Sequence, residues 1–182
     1  MTEARGLDAL PGELMMWVLI VSELMVFGAG LTAMLAMRLT DPASFAAAQE
    51  HLFQTGAALN TVVLITSGFL AAQALAWRRA ARRMAARAAL AGAAALGVLF
   101  LWIKGAEYAA KAADGIGWDS HPFFTFYYGL TGFHAAHVAA GIVLLLLVAW
   151  RDAPQNIEAG AMFWHMVDLV WVLLYPVVYL LG

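Results

Sequence analysis

Five apolar runs, each long enough to cross a bilayer, dominate this sequence, at about 14–37, 54–77, 85–107, 122–149 and 160–181. A spanning helix needs about 20 such residues, because hydrocarbon offers no water to satisfy an open backbone. The chain is therefore expected to be all-α: an integral membrane bundle of five transmembrane helices in one domain over 1–182. Composition agrees: 64% of residues are hydrophobic and 12% are charged, where a soluble domain carries about 25% charged residues. A net charge of −2 points to no nucleic-acid partner. The absence of cysteine excludes disulfides, thiolate metal sites and a cysteine nucleophile. The first residues, MTEARGLDALPGE, have no apolar core followed by a cleavage site, so no removable signal peptide is expected.

Punctuation between the runs is plain. Pro11-Gly12 leads into the first, Asp41-Pro42 breaks the chain after it, and Arg78-Arg79 closes the second. A polar loop with Gly115, Gly117, Asp119 and Pro122 separates the third from the fourth. The last linker, RDAPQNIEAG, is short, which predicts that the fourth and fifth helices are antiparallel neighbours. The methionines of the first run (Met15, Met16, Met25, Met34, Met37) read as packing material. Trp17, Trp77, Trp102, Trp150, Trp164 and Tyr179 read as interfacial anchors. Asn60, Thr61, Thr66 and Ser67 read as mild polar glue between helices.

The fourth run, FFTFYYGLTGFHAAHVAAG, is apolar yet carries His134 and His137, three apart on one helix face. Its Gly129, Gly132, Gly141 and alanines offer surfaces on which neighbouring helices can approach closely. The first run carries Glu23, and the fifth carries His165 and Asp168, again three apart. At about 1.5 Å per residue, all five groups fall in an inner-to-middle band of the membrane. A carboxylate there is expected to be neutralised or paired. Glu23 should point into the bundle, at least one of the two acids should lie within reach of a membrane histidine, and the histidine and acid faces should join helices four and five. Lys104 and Glu107 should pair along their own helix near the outer surface.

Three readings of the intramembrane cluster stay open: a structural stitch, a proton relay, or metal or haem ligation by His134, His137, His165, Asp168 and Glu23. The i, i+3 histidine pair is a weak ligand signal, and the chain has neither HExxH nor CxxC. Ser22 and Ser67 lack the GxSxG context of a serine nucleophile. No catalytic residue and no metal ligand is assigned.

Taken together and in order, the polar motifs resemble subunit III of the haem–copper oxidases. They are WVLIVSELMVFGAG with Glu23, LNTVVLITSG with Asn60, LWIKGAEY with Lys104, Glu107 and Tyr108, FFTFYYGLTGFHAAHV with His134 and His137, and FWHMVDLVWVLLYPVVYLL with His165 and Asp168. The resemblance covers roughly residues 11 to 181. Longer members of the family have two further helices at the N-terminus. The five-helix form resembles the subunit III of bacterial quinol oxidases, and still more the NorE-type proteins associated with nitric oxide reductases. It implies an accessory subunit in the bacterial inner membrane that holds no redox centre itself. Such a subunit binds phospholipid and flanks a catalytic partner, which carries haem with copper or iron and reduces oxygen or nitric oxide. Five histidines, with His51 and His121 in or beside loops, are fewer than the roughly six that two haems and a copper require. The alternative class is a self-contained haem- or metal-binding oxidoreductase built on His134, His137, His165 and Asp168.

Lysine and arginine counts set the orientation. With the N-terminus inside, the inner segments hold Arg5, Arg78, Arg79, Arg82, Arg83, Arg87 and Arg151, and the outer ones hold only Arg38, Lys104 and Lys111. The expected topology is N-terminus in and C-terminus out. A topology reporter fused at Gly182 should register outside, and a cytoplasmic signal there would overturn the charge argument.

Overall fold

The computed structural model describes residues 14–181, and all its regular elements are helical. They are α1 (Leu14–Thr40), α2 (Pro42–Gln49), α3 (Gln54–Arg79), α4 (Arg83–Ala113), α5 (Pro122–Arg151) and α6 (Pro154–Tyr175), the last continuing as a π-helical turn, Pro176–Leu180. Among the described residues, five helices are long and apolar enough to cross a membrane. The short α2 stands where the sequence suggests only a break. Pro42 opens it and the Asp41 carboxylate accepts from Ser44 N at 3.2 Å, so a proline at the first position and a capping acid suffice to start a helix. The same logic starts α5: Pro122 follows His121, whose Nδ1 accepts from Phe123 N at 3.1 Å. The other ring nitrogen of His121 lies 2.5 Å from Ser44 Oγ, which ties α2 to the head of α5.

The linker between α5 and α6 is tighter than its ten-residue sequence suggests. Only Asp152 and Ala153 lie outside helix, because Pro154 begins α6 six residues before the apolar run does. Asp152 sits at φ 53°, a left-handed conformation that aspartate tolerates better than most side chains. Arg78 holds it there, with Nε donating to the carboxylate at 2.8 Å and Nη2 to the backbone carbonyl at 3.0 Å.

Helices α3 to α6 form a ring in which α3 packs on α4, α4 on α5, α5 on α6, and α6 back on α3. Helix α1 lies along the outside, against α5 and α6. The expected adjacency of the fourth and fifth spans is therefore present. Two tryptophans of α6 fill the ring. Trp164 is fully enclosed, its ring seated where Gly97 of α4 and Gly141 of α5 have no side chain. A Cβ at Gly141 would lie 2.6 Å from Trp164 Cε3, and one at Gly97 would lie 2.7 Å from Cη2. Trp164 Nε1 donates to Ser67 Oγ at 3.0 Å, and that hydroxyl donates to Ala93 O at 2.8 Å. Trp171 is enclosed likewise and donates to Thr61 Oγ1 at 3.0 Å. Asn60 Nδ2 donates to Phe100 O at 3.4 Å. The polar residues of α3 are thus interhelical glue, as expected, except Thr66, which bonds only its own helix through Val62 O.

Two readings from the sequence are corrected. Trp164 and Tyr179 are fully buried rather than interfacial, while Trp102 and Trp150 do face outward. Hydropathy cannot distinguish a tryptophan at a helix end that meets lipid from one that meets a glycine across the ring. The methionines of α1 do not mainly pack inward: Met34 is buried, but Met15, Met25 and Met37 are exposed. Gly141→Ala should destabilise the bundle by about 1–3 kcal/mol through overpacking against Trp164. Gly105→Ala, where a Cβ meets nothing within 4 Å, should be neutral or stabilising by up to ~1 kcal/mol. Melting temperatures of the two variants in one detergent check the contrast.

Candidate functional site

The polar interior is organised around a lysine. Lys104 lies on α4, three residues before Glu107 and seven before Lys111, so the three side chains share one helix face. All three are buried, with relative exposures of 2%, 5% and 4%. Lys104 Nζ donates to Glu107 Oε2 at 2.8 Å, to Tyr127 OH of α5 at 3.3 Å and to Tyr179 OH of the terminal turn. Tyr179 OH donates in turn to Glu107 Oε2 at 3.2 Å. Lys111 Nζ lies 3.8 Å from Glu107 Oε1 and donates to His51 O at 2.7 Å, beyond the end of α2. One carboxylate therefore faces two ammonium groups. Aromatic faces stabilise the excess positive charge: Nζ of Lys104 lies 4.9 Å from the ring centre of Tyr127, 5.0 Å from that of Tyr179 and 5.5 Å from that of Trp171.

The expected pairing of Lys104 with Glu107 is present, but the pair is enclosed rather than near a surface. The reason is helix length: α4 runs to Ala113, six residues past the apolar run, so Glu107 sits inside the helix and faces its neighbours. Lys111, Tyr127 and Tyr179 join the pair as partners that hydropathy does not point to. The i, i+3, i+7 spacing of Lys104, Glu107 and Lys111 was a legible signal; the approach of Tyr179 was not. Tyr179 arrives because Pro176 has no N–H with which to continue the α-helical ladder. The chain widens there into a π-helical turn in which Leu181 N donates to Pro176 O at 3.0 Å. The open carbonyls of that turn are taken by Gln49, which donates to Val178 O at 3.0 Å, and Gln54, which donates to Tyr179 O at 3.4 Å.

The five intramembrane groups singled out in the sequence do not meet at one point. Glu23 of α1 and His137 of α5 do meet, with Oε2 and Nε2 3.2 Å apart. His137 Nδ1 lies 2.9 Å from Phe133 O, and a carbonyl only accepts, so the proton on that nitrogen is fixed. A neutral His137 then offers a bare Nε2, an acceptor facing a second acceptor. The pair is attractive only when it holds one further proton, on the acid or on the ring. Glu23 points at the bundle, as expected.

His134, one turn away, is fully buried and neither ring nitrogen has a hydrogen-bond partner. It stacks on Trp171 at 5.4 Å and stands edge-on to Phe100 at 5.5 Å and Phe27 at 6.3 Å. His165 and Asp168 approach each other, Nδ1 to Oδ2 at 3.8 Å, and Asp168 packs against Gly68 of α3. The expectation that histidine and acid faces join the last two spans is therefore corrected. Those spans are joined by Trp164 in the Gly141 seat, the acid of α6 turns to α3, and the second histidine of α5 turns to α1. Among the described residues no three His, Asp or Glu side chains converge as a metal site requires. The four-residue ligand set of a self-contained redox protein is dispersed over different helix faces.

Fold and interior together define a multi-pass membrane subunit whose charged groups hold its helices to one another. The chain belongs to the cytochrome c oxidase subunit III family, whose match spans residues 11–182. It is similar to the cytochrome c oxidase subunit 3 of Synechocystis sp., at 31% identity over 98% of this chain and 80% of the relative. The corresponding protein of Bacillus sp. strain PS3 is 25% identical over 91% and 84% of the two chains, and that of Thermostichus vulcanus 29% over 90% and 84%. Family membership makes this chain a non-catalytic accessory subunit associated with a catalytic haem–copper oxidase subunit.

Removing Glu107 should harm the fold more than removing Lys104. Glu107→Gln leaves two buried ammonium groups without a carboxylate and should cost about 3–5 kcal/mol. Lys104→Met leaves Glu107 with Lys111, and Tyr179→Phe removes only hydrogen bonds, for about 1 kcal/mol. Urea midpoints in detergent should rank Tyr179→Phe, Lys104→Met, Glu107→Gln in order of increasing damage.

Proposed function

We propose that this subunit supports the integrity and proton supply of a catalytic partner, and that Glu23 acts within it as a stitch. The observation that carries the reading is the contact of Glu23 with His137, because it joins the outlying α1 to the ring at mid-span, where few other polar contacts do so. The basic end supports an orientation with the α3–α4 loop in the cytoplasm of a bacterial inner membrane. There Arg78, Arg83 and Arg79 pair with Asp152 and Glu158 of the α5–α6 side. A groove of about 460 Å³ between α1, α5 and α6, with Arg151 at its mouth and Leu144 and Phe163 along its wall, suits a phospholipid chain with its phosphate at the arginine. The names of the relatives favour a partner that reduces oxygen. The likeness of TGFHAAHV and FWHMVDLVWVLLYPVVYLL to NorE proteins keeps a nitric oxide-reducing partner as the second reading.

Deleting the gene should leave the haems of the partner in place while turnover decays faster during sustained activity; loss of all haem would mean an assembly factor instead. Glu23→Gln separates stitch from relay. Its amide can donate to the bare Nε2 of His137, so a stitch survives and turnover stays at the native rate. Glu23→Leu, which cannot donate, should weaken assembly by about 1 kcal/mol. Slowed turnover by an intact complex carrying Glu23→Gln would show that the shared proton moves, and would overturn the stitch.

A further inference from the structure

Between α1 and α3, with α6 as its floor, runs a membrane-facing groove of about 550 Å³, within the range of small-ligand pockets. Its walls are apolar, with Ile20, Ala72, Leu75, Met162 and Leu169 among them. One end is marked by the ion pair of Arg79 with Glu158, at 3.1 Å. His165 stands in the groove, its side chain 47% exposed. Behind it Asp168 is buried to nine-tenths of its surface, with Oδ1 lacking any hydrogen-bond partner and Oδ2 3.8 Å from His165 Nδ1. Gly68 leaves the space that this carboxyl fills, since a Cβ there would collide with Oδ2.

We infer that this groove binds an isoprenoid hydroquinone, whose ring hydroxyl donates to Nε2 of His165. The acid 3.8 Å from Nδ1 favours the proton on that nitrogen, which leaves Nε2 as the acceptor of a ring that lines the groove. An acceptor at that depth selects a long-tailed molecule with a hydroxyl well below the interface. His165 lies seven residues from Glu158, roughly 10 Å deeper. A phospholipid has only acyl chain there, and the arginine its phosphate would need is already paired with Glu158. The hydroquinone places its ring at His165 and its tail along the apolar walls. No electron transfer is involved: the site holds the reduced carrier beside whatever catalytic subunit docks, and the inference does not depend on what that subunit reduces.

The test is binding of decylubiquinol to the full-length chain in phosphatidylcholine nanodiscs, by equilibrium partition against empty discs. One saturable site is expected. His165→Phe, which removes the acceptor, should weaken it at least about tenfold. Ala72→Phe, which fills the groove and leaves His165 in place, should weaken it similarly, with both variants melting as the native chain does. Oxidised decylubiquinone, which has no hydroxyl to donate, should bind more weakly than the quinol. Uptake that both variants retain would be partition into lipid and would overturn the site. Equal affinity for quinone and quinol would overturn the assignment of Nε2 as acceptor.

Discussion

The ammonium of Lys104 is enclosed by protein, and much of the bundle is arranged to satisfy it. A charge placed alone inside a helix bundle is neutralised or expelled. Here a carboxylate three residues away, two phenol hydroxyls from other elements and the faces of three aromatic rings surround it. Each partner comes from a different part of the chain, so satisfying one cation fixes α5 and the terminal turn against α4. Lys111 extends the arrangement to the segment after α2 through His51 O. Such an interior gives register more than net stability, because desolvation offsets much of the coulombic gain.

The opposite end of the bundle is fastened by other means. The left-handed Asp152 and the arginines of the α3–α4 turn form a solvent-side clasp, in which charge meets a carboxylate and a helix-terminal carbonyl. Between the two ends, packing dominates: Trp164 in its glycine seat and Trp171 against Phe100 and His134. The ring of α3 to α6 is therefore held at both ends and through its middle. Helix α1 is not, and its acid–imidazole contact matters for that reason. A helix whose outer face is Val18, Val21, Met25 and Val26 is attached by packing on one side and by the contact of Glu23 with His137. This asymmetry suits a subunit that presents a firm bundle and one less firmly held helix to its surroundings.

The two histidines of α5 show why spacing is weak evidence of shared purpose. His134 and His137 are three apart on one face, yet one is sealed among aromatic rings and the other reaches an acid on α1. A turn of 300° for three residues leaves them about 60° apart around the axis, enough for one to enter the ring and the other to face its outer side. The same divergence separates Asp168, which turns to α3, from His165, which stands in the groove.

The sequence by itself determined the class, the five spans, their order and the presence of acids and histidines within them. These follow from hydropathy and length, which are local properties, and from the rule that backbone in hydrocarbon must bond within its own helix. The family resemblance rests on the same residues and needs no coordinates. Tertiary structure alone decided who meets whom. Tyr179 reaches Lys104 because Pro176 forces a wider turn, Trp164 enters the core because Gly97 and Gly141 lie opposite it, and Glu23 chooses His137 over His134. Those are distances between residues far apart in sequence, set by how helices rotate about their own axes as they pack, and a one-dimensional pattern carries that rotation only to within a turn.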